Sequence, residues 1–335
     1  MMIDQTEKTI EVLGLGSPIV DALIHVEESF IEQIDGAKGG MEMVDAETIE
    51  GVIADSGQTP ALVSGGSAGN TIFALATLGH SVSILGKLGN DEHGHYYRQA
   101  LLDAGGDDTR FKVDQSPNAK CLSMITPDSE RTMRTFLGAA ANLTVDDISV
   151  EDFKGVRIAH VEGYLLFNQE LTRHVLESAK EAGCLISLDL ASFEVVGAAG
   201  SMLKELLSDY VDIVFANEDE ARAYFGDDAD TDYEKMALAL AEQVQIAAVK
   251  LGKEGALIAS GGQVHRVEPR VVENAIDTTG AGDLWASGFL HGWLNDRSLA
   301  ECGAFGSVMG AEIVQVLGAS IPSERWPEIK AELSV

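Results

Sequence analysis

Apolar residues in this chain fall into short runs, separated by longer stretches where they recur every third or fourth position. That alternation predicts strands and helices in turn. The first run, 10–15, is a strand ending around Gly14 and Gly16. Residues 64–79, SGGSAGNTIFALATLG, read as a glycine turn followed by a helix that stops at Gly79. A strand at 81–85 and a helix over about 91–104 come next. The character then changes: 119–125 and 131–137 are extended runs flanking Pro127, Asp128, Ser129 and Glu130, the composition of a hairpin turn. Residues 22–45 form a similar extended stretch broken by glycines.

From residue 157 onward, strands at 158–162, 185–189, 213–216, 246–250 and 256–259 alternate with helices at about 169–182, 201–208, 217–225 and 232–243. A β segment at 264–276 and a helix at 284–294 follow. This order predicts an α/β fold with a doubly wound, mostly parallel central sheet. Ligands of such sheets bind beyond the carboxyl ends of the strands. The stretches 22–45 and 112–137 interrupt the alternation and predict a small separate β layer, a lid over the cleft. With no repeat or low-complexity tract, the expected organisation is one domain over 1–335 with that lid inserted.

Composition narrows the partners. The chain has 54 Asp and Glu against 23 Lys and Arg, a net charge of −31. Such a surface repels nucleic acid and anionic membranes, whose binding depends on clustered cations. Three widely spaced cysteines, Cys121, Cys184 and Cys302, have no metal-ligand spacing and read as reduced, buried thiols. The N-terminal residues show no secretion signal. No apolar run approaches the roughly 20 residues a membrane helix needs. The cytoplasm is the expected compartment.

Candidate chemistry concentrates at 277–283, DTTGAGD, where a β segment gives way to an apolar helix. Gly280, Ala281 and Gly282 place bare backbone amides at a helix N-terminus, an anion hole suited to phosphate. Asp283, in the first helical turn, can take the proton of an attacking hydroxyl. Helix capping is the competing reading of Asp277 or Asp283. Gly14 and Gly16 suggest a dinucleotide fingerprint, but Ile19 stands where its third glycine belongs. No Walker A string and no paired-histidine metal motif occur.

The DTTGAGD string resembles the C-terminal signature of the ribokinase-like, or PfkB, family of carbohydrate and nucleoside kinases. GSPIVD (16–21), SGGSAGN (64–70), SERTMRTFLGAAANL (129–143), VEGYLL (161–166), VDIVFANEDEA (211–221) and DTTGAGDLWASGF (277–289) extend the likeness, most of all toward adenosine kinases. The resemblance implies a three-layer α/β/α fold with a β lid, and a reaction using ATP and Mg2+. It leaves open a monovalent cation such as K+, and a monomer or a homodimer. It implies that Asp21 binds a vicinal diol, whose two hydroxyls a carboxylate can accept. Gly65, Gly66 and Asn70 resemble the sugar-binding GGxxxN element, and Ser17 stands where many adenosine kinases carry Asn. Tyr164 and Phe167 are candidates to stack on a base.

The nucleotide side follows from the same resemblance. Asn217 and Glu220 match the NxxE motif, Glu220 organising magnesium through water; a capping box explains the same spacing. Lys250, Gly252 and Gly255 align with the strand-end nucleotide loop, Lys250 standing where Thr is common. Thr279 and Ser307 complete the expected ATP contacts. Arg131 is either a solvated strand charge or a phosphate attractor, and Arg134 reads as a solvated charge. The expected reaction is transfer to a primary hydroxyl, with the 5′-OH of adenosine first, a ribose or hexose second, and a catalytically silent sugar- or nucleoside-binding protein third.

Overall fold

Strand ends set the position of every candidate group, so the strands come first. The structure is a computed structural model that describes residues 10–128, 130–226 and 232–334. Its strands begin with β1 (Ile10–Leu15), β2 (Val20–His25), β3 (Met41–Met43), β4 (Ala61–Ser64) and β5 (Val82–Leu85). β6 (Lys87–Gly89), β7 (Lys112–Asp114), β8 (Lys120–Ile125), β9 (Arg131–Phe136) and β10 (Val156–Glu162) follow. The last are β11 (Leu185–Asp189), β12 (Ile213–Asn217), β13 (Ile246–Lys250), β14 (Ala256–Ser260) and β15 (Gln263–Val267).

The large sheet runs β15-β14-β13-β12-β11-β10-β1-β5. From β5 to β13 all neighbours are parallel, and β14 and β15 add an antiparallel edge. Parallel strands covered on both faces need apolar residues on both, which is why these segments read as continuous runs. Alternation along each strand sorts the side chains into two layers. Leu13, Val161, Leu188, Val214 and Val249 pack under the helices Gln169–Glu181, Phe193–Asp209 and Tyr233–Leu240. Val12, Ile84, Ile158, Phe215 and Ala248 face the helices Ser67–Thr77, Glu92–Asp103 and Ala281–Leu294. On that side Phe215 meets the edges of Trp285 and Phe289, with ring centroids 6.0 and 5.4 Å apart. Those contacts anchor the helix Ala281–Leu294 against β12.

A second sheet, β3-β9-β8-β2-β4, holds the strands of 22–45 and of 120–136; β7, at the start of the expected lid stretch 112–137, pairs instead with β6 in a separate two-stranded ribbon. The second sheet also takes in Ala61–Ser64, which lies outside those stretches. Register divides its faces. Ala22, Ile24, Leu122 and Met124 pack on Ile49 and Val52 of the helix Ala46–Ser56. Asp21, Cys121 and Thr135 are cross-strand neighbours on the opposite face, as are Leu23, Ser123 and Met133. Met41 pairs with Met133 and Met43 with Thr135, so the edge strand adds two exposed methionines to this face.

Local differences from the sequence reading have physical causes. Residues 22–45 are not extended throughout: a helical turn, Glu28–Ile31, interrupts them. The helix at 201–208 starts earlier, at Phe193, with a break where Gly200 takes φ 52°. The β segment at 264–276 pairs only as far as Val267, because Pro269 has no N–H to continue an edge ladder. DTTGAGD therefore follows irregular backbone rather than a strand. Ser129, in the hairpin turn, lies outside the described residues. Cys121, Cys184 and Cys302 are buried and form no disulfide among the described residues. No helix among the described residues is long and apolar enough to cross a membrane.

Candidate active site

Asp277 shapes the loop at the start of the helix Ala281–Leu294. Its Oδ1 accepts from the Thr279 N–H at 2.9 Å and from the Thr279 hydroxyl at 2.7 Å. Its Oδ2 accepts from the Gly318 N–H at 2.8 Å and from Arg131 Nη1 at 3.1 Å. The loop then turns through Gly280 at φ 74°, where an added Cβ would lie 2.7 Å from that of Ala319. Only glycine fits there, and the turn leaves the Gly280 and Gly282 amides without partners among the described residues, whereas the Ala281 N–H, expected in the anion hole, donates to the Thr278 carbonyl at 3.1 Å. The Thr279 hydroxyl, expected on the nucleotide, is committed to Asp277 here.

Asp283 occupies the third position of that helix, half-buried between two elements. Ser67 Oγ donates to its Oδ1 at 2.7 Å and Asn70 Nδ2 to its Oδ2 at 2.8 Å. Thr71 Oγ1 donates to its backbone carbonyl at 3.0 Å. The helix Ser67–Thr77 thus delivers three groups to Asp283 from successive positions of its first turns. Burial, and then the charge of Asp189, lift the Asp283 carboxyl to about 6, against the opposing pull of Asn70, Ser67 and Lys250. Asn70 keeps its Oδ1 buried and without a hydrogen-bond partner. A buried acceptor without a donor is costly, and this one sits where a hydroxyl could serve it.

Asp21 stands across from the glycine element. A Cβ at Gly65 would lie 2.6 Å from its Oδ2, so the missing side chain lets the carboxylate approach the backbone. Among the described residues no donor reaches this carboxylate, and burial raises it to about 6 while Arg131 pulls it down. Gly66, at φ 86°, is required for a second reason: a Cβ would meet the Ser17 carbonyl at 2.2 Å. The Ser17 N–H donates to Glu162 Oε1 at 2.9 Å, and the Ala68 N–H donates to Oε2 at 3.1 Å. Glu162 therefore ties the loop after β1 to the start of the helix Ser67–Thr77. Burial raises it to about 7.

The other half of the centre lies at the ends of β11, β12 and β13. Asn217 caps the helix Glu218–Phe225, its Oδ1 accepting from the Asp219 and Glu220 amides. Glu220 reciprocates, Oε2 accepting from the Asn217 N–H at 2.8 Å and Oε1 from Asn217 Nδ2 at 2.7 Å. Burial lifts Glu220 to about 7, opposed by Lys250 and reinforced by Asp189. Lys250 Nζ donates to Asp189 Oδ2 at 2.9 Å, with both side chains buried. Burial works against the Lys250 charge, but Asp189 and Glu220 outweigh it and raise the ammonium above its usual range. Gly252 and Gly255 take φ 50° and 90° in the turn between β13 and β14, and Ser307 is half-buried on the helix Leu299–Ile313.

The expected residues thus form two groups. Ser17, Asp21, Gly65, Gly66, Asn70 and Asp283 converge, as do Asn217, Glu220 and Lys250. Tyr164 lies near both; partial burial, then the charges of Asp283 and Glu162, push its phenol to about 12. Phe167 is exposed on the same turn. Ser67, Glu162 and Asp189 were missed, although Glu162 and Asp189 each end an apolar strand at its carboxyl end, where ligands bind. Arg134 is a correction. It is 2% exposed and donates to the carbonyls of Met133 and Asp35, because the irregular chain before β3 folds over it. Arg131 is also buried, held by Asp277 and by Ser123 Oγ at 2.7 Å.

Comparison with known proteins adds a separate line of observation. The pfkB family carbohydrate kinase pattern matches residues 41–326. The adenosine kinase of Dictyostelium discoideum is 27% identical, over 96% of this chain and 99% of that protein. The structure of adenosine kinase from Sinorhizobium meliloti superposes with a TM-score of 0.84 at 31% identity, covering 97% of this chain and 100% of the other. A probable sugar kinase from Rhizobium etli CFN 42 gives 0.85 at 30% identity, covering 97% and 99%.

Proposed function

The chain belongs to the pfkB family of carbohydrate kinases, with its ribokinase-like fold, and is a phosphotransferase with an alcohol group as acceptor; within that family we propose that it uses ATP and Mg2+ to phosphorylate the 5′-hydroxyl of adenosine. The observation that carries the chemistry is Asp283, half-buried in the first turn of the anion-loop helix and oriented by Ser67 and Asn70. In this reading Asp283 takes the proton of the hydroxyl as the oxygen attacks the terminal phosphorus of ATP. The amides of Gly280 and Gly282 receive the phosphoryl group at the positive end of the helix. Asp21 accepts the 2′- and 3′-hydroxyls of the ribose, which supply the donors its carboxylate lacks. The Asn70 Oδ1 takes a further hydroxyl.

The base specificity rests on surroundings. Tyr164 and Phe167 are exposed on the turn after the carboxyl end of β10, Phe193 at the start of the helix after β11, and Met41 and Met43 on the Asp21 face of the second sheet. Rings and thioethers around a diol site suit a planar base more than a bare sugar. The 31% identity with the Sinorhizobium adenosine kinase supports the same choice. The second sheet acts as the lid that excludes water from the transferring group. A sugar acceptor is the second reading, favoured by the comparable likeness to the Rhizobium sugar kinase.

Magnesium fits the donor set in one way only. No group of three or more His, Cys, Asp or Glu among the described residues forms a cage. Glu220 already accepts two hydrogen bonds, leaving lone pairs for water. That arrangement suits an ion that arrives with the nucleotide and keeps most of its waters. Glu220 would hold those waters, and the ion would neutralise charge on the phosphates. Replacing Glu220 with Gln, which keeps an acceptor for the Asn217 N–H but gives up the one facing Asn217 Nδ2, should raise the Mg2+ concentration for half-maximal rate about tenfold or more. An unchanged Mg2+ dependence would reduce Glu220 to a helix cap.

The acceptor is tested by thermal shift with a nonhydrolysable ATP analogue and adenosine, inosine, guanosine, ribose or fructose, alongside coupled ADP release. Adenosine at a hundred times its Kd should stabilise the protein by about 2.7 kcal/mol and support turnover. A shift and turnover with ribose or fructose, but none with adenosine, would transfer the assignment to a sugar kinase. Binding without ADP release from any acceptor would contradict catalysis itself.

A further inference from the structure

The centre is crowded with carboxyl groups. Asp189, Glu220 and Asp283 converge on the first turn of the helix Ala281–Leu294, and Glu162 and Asp21 lie beyond them. A phosphoryl group in transfer brings more negative charge to the same place. The helix N-terminus contributes the equivalent of about half a positive charge, and Asp283 sits in that very turn. Magnesium travels with the nucleotide and serves the phosphate side. Something in the protein must offset the remaining carboxylates where the anion loop meets the sheet.

Lys250 is placed for that task. Its side chain is 11% exposed, its ammonium is fixed by Asp189, and a Cβ added to Gly282 would lie 3.0 Å from Nζ. The absence of a side chain at Gly282 is what allows the ammonium this close to the anion loop. Asp189 is fixed in turn, its Oδ1 accepting from the Ala191 N–H at 2.9 Å, where Ala191 takes φ 65°. The other buried cation near the loop, Arg131, is committed to Asp277. A lysine bound this way is a permanent feature of the loop's underside rather than a mobile hook for phosphate.

Building on the proposed kinase reaction, we propose that Lys250 is a positioning residue for phosphoryl transfer: pinned by Asp189 beneath Gly282, its ammonium supplies the fixed positive charge that lets the anion loop accept a phosphoryl group in an otherwise acidic centre. Charge fixed in a dry site acts more strongly where charge develops than in the ground state. Its loss should therefore fall on kcat more than on the KM for ATP.

The test compares Lys250→Met with the paired variant Asp189→Asn/Lys250→Met. The single change strands a buried carboxylate, a defect large enough to unfold the protein; the pair removes both charges and keeps the Ala191 hydrogen bond. The pair is expected to melt at or above the wild-type temperature, lose about a hundredfold in kcat, and change the KM for ATP by no more than a few-fold. A paired variant with wild-type kcat would make the ion pair scaffolding and overturn the proposal. A raised KM with kcat intact would overturn it too, by making Lys250 a nucleotide contact. Binding of inorganic phosphate, followed by phosphorus NMR, reads the same charge without turnover. If wild-type protein phosphorylates no acceptor, the kinase reading fails; roughly tenfold weaker phosphate affinity in the pair would still support Lys250, and an equal affinity would refute it.

Discussion

Asp283→Asn is expected to lower kcat by about a hundred- to ten-thousandfold, the range for losing a positioned general base, while the protein folds and binds ATP as before. The local hydrogen bonds explain why folding survives. Asn70 donates to one Asp283 oxygen and has an unpartnered Oδ1 of its own. Rotation of the Asn70 amide would let that oxygen accept from the NH2 group the substitution introduces, and Ser67 would still donate to the remaining oxygen. The wild-type enzyme should show kcat rising with pH through about 6, the value set by burial and by Asp189, since only the ionised carboxylate can take a proton. The residual rate of the variant should lack that limb. Near-wild-type kcat in the variant, or a wild-type profile flat across the pH range around 6, would remove Asp283 from the proton transfer.

Asp21→Asn should act on the acceptor instead. An ionised acceptor makes hydrogen bonds worth about 1.5–3 kcal/mol each. Loss of one such bond across a diol corresponds to a rise in acceptor KM of roughly a hundredfold, with the KM for ATP unchanged. A 2′-deoxy acceptor should discriminate less between wild type and variant, because it offers one hydroxyl fewer. The same substitution has an opposite effect on stability. The folded Asp21 carboxyl is raised to about 6 from 3.8, so folding disfavours its charged form. That destabilisation is absent below pH 3.8, grows as the pH climbs to about 6, and is complete above it. The Asp21→Asn variant should therefore melt higher than wild type at about pH 8 and no higher at about pH 3.5, measured without substrate. Equal melting temperatures at both values would mean the carboxylate is not short of partners.

How much of this was legible in the sequence depended on range. β1, β10, β11 and β13 read as strands because both faces are buried, which leaves an uninterrupted apolar run. The helix after DTTGAGD was legible because glycine, turn and apolar helix follow one another directly. The helix Ala46–Ser56 escaped notice because it buries only Ile49 and Val52 against the small sheet, too narrow a stripe to register. Val271 and Val272 extended the apparent strand past Val267, although Val271 is 85% exposed. The site showed the same division. Asp283 stood out through its neighbours in sequence. Ser67 reaches it across 216 positions, and Glu162 holds Ala68 across 94. No periodicity carries such pairings. For the same reason Arg134 looked like a surface charge and Arg131 stayed open between that and a phosphate attractor, their partners Asp35 and Asp277 lying 99 and 146 positions away.

The bond between Arg131 and Asp277 joins β9 to the loop that leads into the helix Ala281–Leu294. One carboxylate holds Arg131, the Thr279 amide and the Gly318 amide together. A shift of β9 toward or away from the acceptor is therefore transmitted to the turn ahead of Gly280 through a single rigid group. In the proposed reaction, recognition of the sugar and grip on the phosphate would share one hinge pin, so the two halves of the centre would tighten or slacken in step.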